Sequence, residues 1–342
     1  MQRAVMAIGR RGFIGGVGSA ALAGWSAGLV RADAPGKLTF ITPQRLLISF
    51  AEVMVAAGNG RFREHGLEVT VEGGASAPQA MQQVLAAQAE IGRTGGITLV
   101  NAVAKGMPVM AIGTIAHGSI FYVVSAKSNP VNTPRDFVGG TIGVISQGGP
   151  ADATLDAMLI AENIDPKQIE RQVVADNAGS FGLVAAGRIK AFIASVDSVQ
   201  RARAAGADIV AFNTQKYMPL PGQIYVATNE AIAVRETDFV AFLKGVRAGI
   251  DDIVKDQDLR HTLGVLEQFS VEGLDDKATA ASVLRANQEL WFSAGPDNVL
   301  RNVPENWTKG VALAAKAGFG QAVPNDKLFT NRFVDKALGP KA

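Results

Sequence analysis

Two periods alternate along this chain from Lys37 onward. Short runs of apolar and β-branched residues, alternating with polar ones or uninterrupted, fit strands. Longer stretches with apolar residues three and four apart fit helices, most of them closed near a glycine. "KLTFITP" (37–43) reads as a strand and "SFAEVMVAAGNG" (49–60) as a helix. "LEVTVEGG" (67–74) alternates as a strand does, Pro78 to Ala87 is helical, "EIGRTGG" (90–96) is a short strand and turn, "ITLVNAVAKG" (97–106) is a helix and "PVMAIGTIA" (108–116) a strand. The pattern then starts again, with strands predicted at 120–126, 141–146, 169–176, 189–195 and 207–212, helices between them, and a strand at 223–232. From Thr237 the chain is nearly all helical, at 237–256, 258–268, 276–293 and 304–317. Strands alternating with helices predict an α/β protein with mainly parallel sheets.

This order has a topological consequence. The helical tail needs a sheet to cover, and the second α/β unit already has its own helices. The simplest packing returns the tail to the first unit, so that two chain crossings, near 118–124 and 219–225, join two lobes. Residues 35–119 with 223–342 then form lobe 1, and 120–222 form lobe 2. Ligands of open parallel sheets lie beyond the carboxyl ends of the strands, which here means a cleft between the lobes.

Composition narrows the chemistry. Cysteine is absent, which excludes disulfides, thiol catalysis and thiolate metal sites. The three histidines, His65, His117 and His261, have no spacing that suggests a metal site, and no metal or cofactor is expected. The net charge is +2, with no basic run of the kind that binds nucleic acid. Residues 1–34 carry four arginines and one aspartate; without them 29 basic and 30 acidic side chains remain, a net charge of −1. That opening segment reads as an address. Arg10 and Arg11 precede Phe13 and Ile14, then a 19-residue uncharged run from Gly12 to Val30 with six glycines, then Ala32-Asp33-Ala34. This looks like a twin-arginine export signal cleaved near Ala32 to Ala34, which places the mature protein in the periplasm. Retention as an N-terminal anchor is the alternative reading.

The glycine corner "VEGGASAPQAM" (71–81) joins a strand to a helix. Ser76 suits an N-cap, and Pro78 falls in the first turn. Such a corner points backbone N–H groups at an anion or polar group; it also serves as a plain tight turn. The Gly-Lys-Ser/Thr ending of an ATPase phosphate loop is missing.

With these elements in place, the chain resembles the periplasmic binding proteins of ABC importers, in the branch that handles taurine, alkanesulfonates, nitrate and thiamine-pyrimidine precursors. The resemblance rests on "GRF" (60–62), "GLEV" (66–69), Gly73-Gly74 and "VLAAQAEIG" (84–92), and in the second half on "NTPRDFVGGTIGVISQGG" (132–149) and "LVAAGRIKAFIASVDSV" (183–199). It covers roughly residues 37–256. Arg61 and Lys190 depart from the family pattern, at positions expected outside the ligand site. The resemblance implies a two-lobed periplasmic-binding-protein fold (type II), with the ligand cleft between two parallel-type sheets joined by a two-stranded hinge. It also implies a monomer that captures a small molecule and delivers it to an inner-membrane permease with its cytoplasmic ATPase.

Candidate ligand-binding residues follow from strand ends and loops that face such a cleft. They are Gln44 and Arg45 after the first strand; Gly74, Ala75 and Ser76 at the corner; Arg93 and Thr94 at the end of the third strand; and His117 at the first crossing. In the second half they are Ser146, Gln147 and Gly148 in a mirrored corner, Asp176 and Asn177, Asp197, and Tyr217 at the return crossing. Arg45 and Arg93, able to fork onto a carboxylate or sulfonate, point to a small organic anion; a pyrimidine or other neutral heterocycle is the alternative. No catalytic residue is expected. The alternative of another class is a pyrimidine-synthesis-type enzyme on the same fold, but the enzymes known on this fold rely on cysteine, which is absent here. A free solute receptor is the remaining class.

Overall fold

The computed structural model describes residues 35–316 and 322–341. The export signal expected at 1–34 lies outside the described residues. Among the described residues there are ten strands and thirteen α-helices, alternating for the most part up to β10 and helical thereafter. The strands are β1 (Gly36–Ile41), β2 (Leu67–Glu72), β3 (Ile91–Thr94), β4 (Val109–Ala116), β5 (Phe121–Ala126), β6 (Thr141–Val144), β7 (Glu170–Val173), β8 (Ala191–Ser195), β9 (Ile209–Asn213) and β10 (Gln223–Thr228). The helices are α1 (Ala51–Gly58), α2 (Ala77–Leu85), α3 (Gly96–Ala104), α4 (Pro150–Ala161), α5 (Ala178–Ala185), α6 (Val196–Ala204), α7 (Asn229–Val234), α8 (Glu236–Lys255), α9 (Arg260–Leu266), α10 (Lys277–Trp291), α11 (Pro304–Lys316), α12 (Asn325–Leu328) and α13 (Arg332–Leu338).

One sheet has the order β2-β1-β3-β10-β4 and the other β7-β6-β8-β5-β9. The sheets are mainly parallel, as expected, each with one strand reversed among the other four. β10 runs antiparallel to β3 and β4, and β5 runs antiparallel to β8 and β9. These are the strands that follow the two crossings. β4 ends at Ala116 in the first sheet and β5 begins at Phe121 in the second, so the chain passes directly from the strand ends of one sheet to those of the other. Each strand therefore enters its new sheet from the crossing end and runs against its neighbours. The two crossings touch: Gly222 donates to the Ala116 carbonyl at 2.9 Å, and the Ser119 and Thr214 hydroxyls meet at 2.8 Å.

The core of the first sheet is aromatic. Phe242 on α8 stacks on Phe62 at 5.5 Å and meets the edge of Tyr225 on β10 at 5.4 Å. Phe239, Trp291 and Val334 from the helices after β10 are buried with Phe40 and Ile91 of the sheet. The second sheet packs Val123, Ile142 and Ile193 against Leu155 and Met158 of α4. Among the described residues no helix is long and apolar enough to cross a membrane.

Candidate functional site

A cavity of about 80 Å³ lies where the carboxyl ends of strands from both sheets meet. The first sheet's side supplies Gln44, Ser49, Phe50, Ala75, Ser76, Arg93 and Thr94, and the second sheet's side supplies Phe121, Ile145, Ser146, Asp176, Ser195 and Asp197; Gln223 comes from the return crossing. A shallower depression of about 370 Å³ continues outward. It shares Gln44, Ala75, Ile145 and Asp176 with the cavity and adds Arg45 and Gly74.

Local sequence explains the frame. Ser76 is extended (φ −160°) and its hydroxyl accepts from the Gln79 N–H at 3.3 Å, so it caps α2. Ser195 caps α6 in the same way, accepting from Ser198 N–H at 3.3 Å. The α3 and α4 helices start at Gly95 and Gly149. Four helix N-termini thus converge on the cavity. Their first turns carry partial positive charge, although the leading N–H groups of α3 and α6 are spent on the Pro221 and Ile120 carbonyls, from Gly96 at 2.8 Å and Val196 at 2.9 Å, and Pro78 of α2 and Pro150 of α4 have no N–H to offer. Gly74 is there for close approach: its N–H donates to the Thr42 carbonyl at 3.1 Å, and a Cβ would stand 2.2 Å from that oxygen.

The charged groups behave differently from their sequence reading. Arg93 is 1 % exposed. Its guanidinium is ion-paired with Glu52 on α1, donates to Gln223 Oε1 at 2.7 Å and to the Tyr225 hydroxyl at 3.0 Å, and sits 4.4 Å from the Tyr225 ring centre. Burial pushes the Tyr225 hydroxyl up to about 12, so it keeps its proton and donates to Glu52 Oε1 at 2.7 Å. Burial lowers the Arg93 pKa, yet guanidinium remains charged in proteins. Arg93 lines the cavity as a group already neutralised. Arg45 is largely exposed and pairs with Glu272 at 2.9 Å. Neither arginine is the free anion fork that the sequence suggested.

The two aspartates also part ways. Asp197 is fully buried; Oδ2 accepts from the Ser49 N–H at 3.1 Å and Oδ1 from Asn287 Nδ2 at 2.7 Å. Burial pushes its carboxyl up, against the hydrogen bond from Asn287. Asp176 Oδ1 accepts from the Ser195 N–H at 3.3 Å, while Oδ2 is buried with no partner. The Thr94 hydroxyl is likewise buried and unpartnered.

The remaining expected residues lie away from the cavity. His117 Nε2 donates to the Asn298 carbonyl at 2.9 Å, and burial pushes its pKa down. Gln147 and Gly148 are exposed, with the Gly148 N–H on Asp152 Oδ2 at 2.8 Å. Asn177 caps α5 through Gly179 N–H at 2.9 Å. Tyr217 is buried in the second sheet's core. Residues the sequence reading missed include Ser49, Phe50, Phe121, Ser195 and Gln223, and Glu52 behind Arg93. Glu52 had a signal, since it is the one charge in the apolar run "AEVMVAAG". The others are ordinary core or strand residues until the fold places them.

Comparison with known proteins follows from this geometry. The family model described as NMT1/THI5 like matches residues 48–259. A curated relative, the 4-amino-5-hydroxymethyl-2-methylpyrimidine phosphate synthase of Schizosaccharomyces pombe, is 22% identical over 316 residues, 85% of this chain and 83% of that one. The alkanesulfonate-binding protein SsuA of Xanthomonas axonopodis pv. citri, solved bound to MOPS, superposes with a TM-score of 0.65 at 14% identity, covering 86% of this chain and 98% of that one. The periplasmic nitrate-binding protein NrtA of Synechocystis PCC 6803 superposes with a TM-score of 0.65 at 14% identity, covering 89% and 88%. These likenesses show the periplasmic-binding-protein fold.

Proposed function

The chain belongs to the NMT1/THI5-like family, and from that premise we propose that it is the extracytoplasmic solute-binding component of an ABC importer. The observation that carries this reading is a small cavity walled by both sheets at their strand ends and ringed by helix N-termini. In this reading residues 35–119 with 223–342 act as one lobe and 120–222 as the other. The lobes close on a solute that contacts both, a population shift of the two-lobe equilibrium. The segment before residue 35 directs export to the periplasm, and the loaded monomer docks on a permease with its cytoplasmic ATPase.

The solute is a small organic anion, a sulfonate or carboxylate. Its oxygens sit on the first-turn N–H groups of α2 and α4, with the Ser76, Thr94 and Ser146 hydroxyls beside them. A water needs about 10–15 Å³ on the same measure of volume, so the inner cavity takes a ligand of roughly half a dozen heavy atoms. A longer tail extends into the outer depression. Carriage rather than catalysis is supported by the lining, which among the described residues holds no histidine, lysine or cysteine. A pyrimidine-type heterocycle is the second reading, favoured by the unspent Asp176 oxygen and the Phe50 and Phe121 walls.

The test is a melting-temperature screen of the exported protein against sulfonates, mono- and dicarboxylates, nitrate and pyrimidines. A ligand at 100 times its dissociation constant adds about 2.7 kcal/mol, a shift of several degrees. A shift with one anion class is the expected result. A shift confined to pyrimidines transfers the conclusion to the second reading.

A further inference from the structure

The cavity's charge is set by residues that do not all line it. Among the described residues Arg93 is the one basic side chain on the inner wall, and Glu52 is paired with it. Both side chains are completely buried. The guanidinium is boxed by Tyr225 at 4.4 Å, Phe50 at 5.5 Å and Phe40 at 5.8 Å, so it cannot swing toward a ligand and away from Glu52. Glu52 Oε1 receives both the Arg93 guanidinium and the Tyr225 hydroxyl. The acidic partner that a ligand would otherwise supply is already inside the protein.

On the opposite wall both Asp197 oxygens are used by donors of the protein. Asp176 keeps one oxygen free, at the junction of the inner cavity and the outer depression. Arg45, on the rim, is held outward by Glu272. The ionised groups that face a solute therefore carry no surplus positive charge. What remains to receive an anion are neutral donors: N–H groups at helix N-termini and hydroxyls.

Resting on the reading of this cavity as the anion-carrier site, we infer that Glu52 is a specificity-determining positioning residue. By cancelling Arg93 and leaving Asp176 as the unspent charge, it limits the cavity to solutes with at most one negative charge and turns dianions away. The physical ground is asymmetric. Helix N-termini and hydroxyls stabilise a single charge well, since each is a partial dipole. The attraction of these dipoles grows in proportion to the charge, whereas the cost of dehydrating the ligand grows as its square, and a second charge also meets Asp176 at close range in a medium less polar than water, where like charges repel strongly. Rejection built from a repulsive group, rather than only from better contacts to the right ligand, is a general route to specificity.

The test uses isosteric pairs: alkanesulfonates of one to four carbons against the matching alkylphosphonates, at a pH where the phosphonates are doubly ionised. Binding by calorimetry is measured for wild type, Glu52→Gln, Glu52→Asp and Asp176→Asn. Wild type and Glu52→Asp should bind a sulfonate and not its phosphonate. Glu52→Gln and Asp176→Asn should each improve phosphonate affinity relative to sulfonate by about tenfold or more. A purely structural role for Glu52 would lower both affinities together and leave their ratio alone. Asp176→Asn changes a side chain at the cavity rim, so an unchanged ratio there refutes the inference even where Glu52→Gln folds poorly. Equal binding of both members by wild type, or a constant ratio in either Glu52→Gln or Asp176→Asn, overturns the inference while the carrier reading stands. If no anion of either charge binds wild type or any variant, both the anion reading and this inference fall.

Discussion

At the scale of single residues, sequence shows which side chain is present but not whom it meets. Arg93 and Arg45 illustrate this. Both stand beside the cavity as a strand-end reading places them, yet each is matched to a glutamate distant in sequence, Glu52 or Glu272. Only the fold brings those partners near. Glycine is more legible, because its reason is local. Gly74 sits against the Thr42 carbonyl with no room for a Cβ, so the corner that looked like an anion cradle is first a close backbone crossing. Gly74→Ala should cost about 1–3 kcal/mol through forced displacement of that backbone. Urea unfolding measures it, and an unchanged midpoint would show that the 42–46 loop yields without cost. The substitution should also weaken ligand binding, because Ala75 and Ser76 follow directly and line the cavity.

At the scale of elements the sequence was readable almost throughout. Apolar spacing and glycine stops located most strands and helices to within a few residues, because each element's pattern reflects which face it buries; the exceptions are α7, whose first residues were read as the end of a strand, and the short α12 and α13, which were not predicted. Direction was not readable. Whether β5 and β10 run with or against their neighbours depends on how the crossings enter each sheet, and no periodicity records that. Links between elements are equally silent in the pattern. At the end of α1, Asn59 and Arg61 reach Asp252 on α8, at 2.8 Å from Asn59 Nδ2 and 2.7 Å from Arg61 Nη2. Burial alone would raise the Asp252 carboxyl. The hydrogen bonds from Arg61 and Asn59 outweigh that and hold it below the usual carboxylate range. A depressed folded pKa means stability that is present above the unfolded value, near pH 3.9, and lost as pH falls through the folded one. Asp252→Asn should therefore lower unfolding free energy by about 1 kcal/mol at pH 7, the pair being partly solvated. The difference from wild type should close as the pH drops below 4. A gap that does not narrow as the pH is lowered below 4 would mean that packing, rather than the charge, supplies the link.

At the scale of the whole molecule the two sheets are tied in more than the crossings. Asp197, on the first turn of α6, accepts from Ser49 N–H just before α1 and from Asn287 on α10. Nearby, Arg201 donates to the Glu272 carbonyl at 3.3 Å. In the proposed carrier, opening the cleft breaks these bonds, so the closed arrangement has a contribution that owes nothing to a ligand. Asn287 does not line the cavity, which makes it the clean handle. Asn287→Ala removes one donor from a buried carboxylate, a loss of about 1–3 kcal/mol. Where closed and open forms are close in energy, that loss depletes the binding-competent form, and apparent affinity falls by the same factor. Each 1.4 kcal/mol is about tenfold. Small-angle scattering should show ligand-free Asn287→Ala more expanded than ligand-free wild type. Saturating ligand should return the variant to the wild-type radius of gyration, because the solute then supplies the missing closure energy. Identical radii and identical affinities in the two proteins would mean that the Asp197 bonds merely accompany closure and do not drive it.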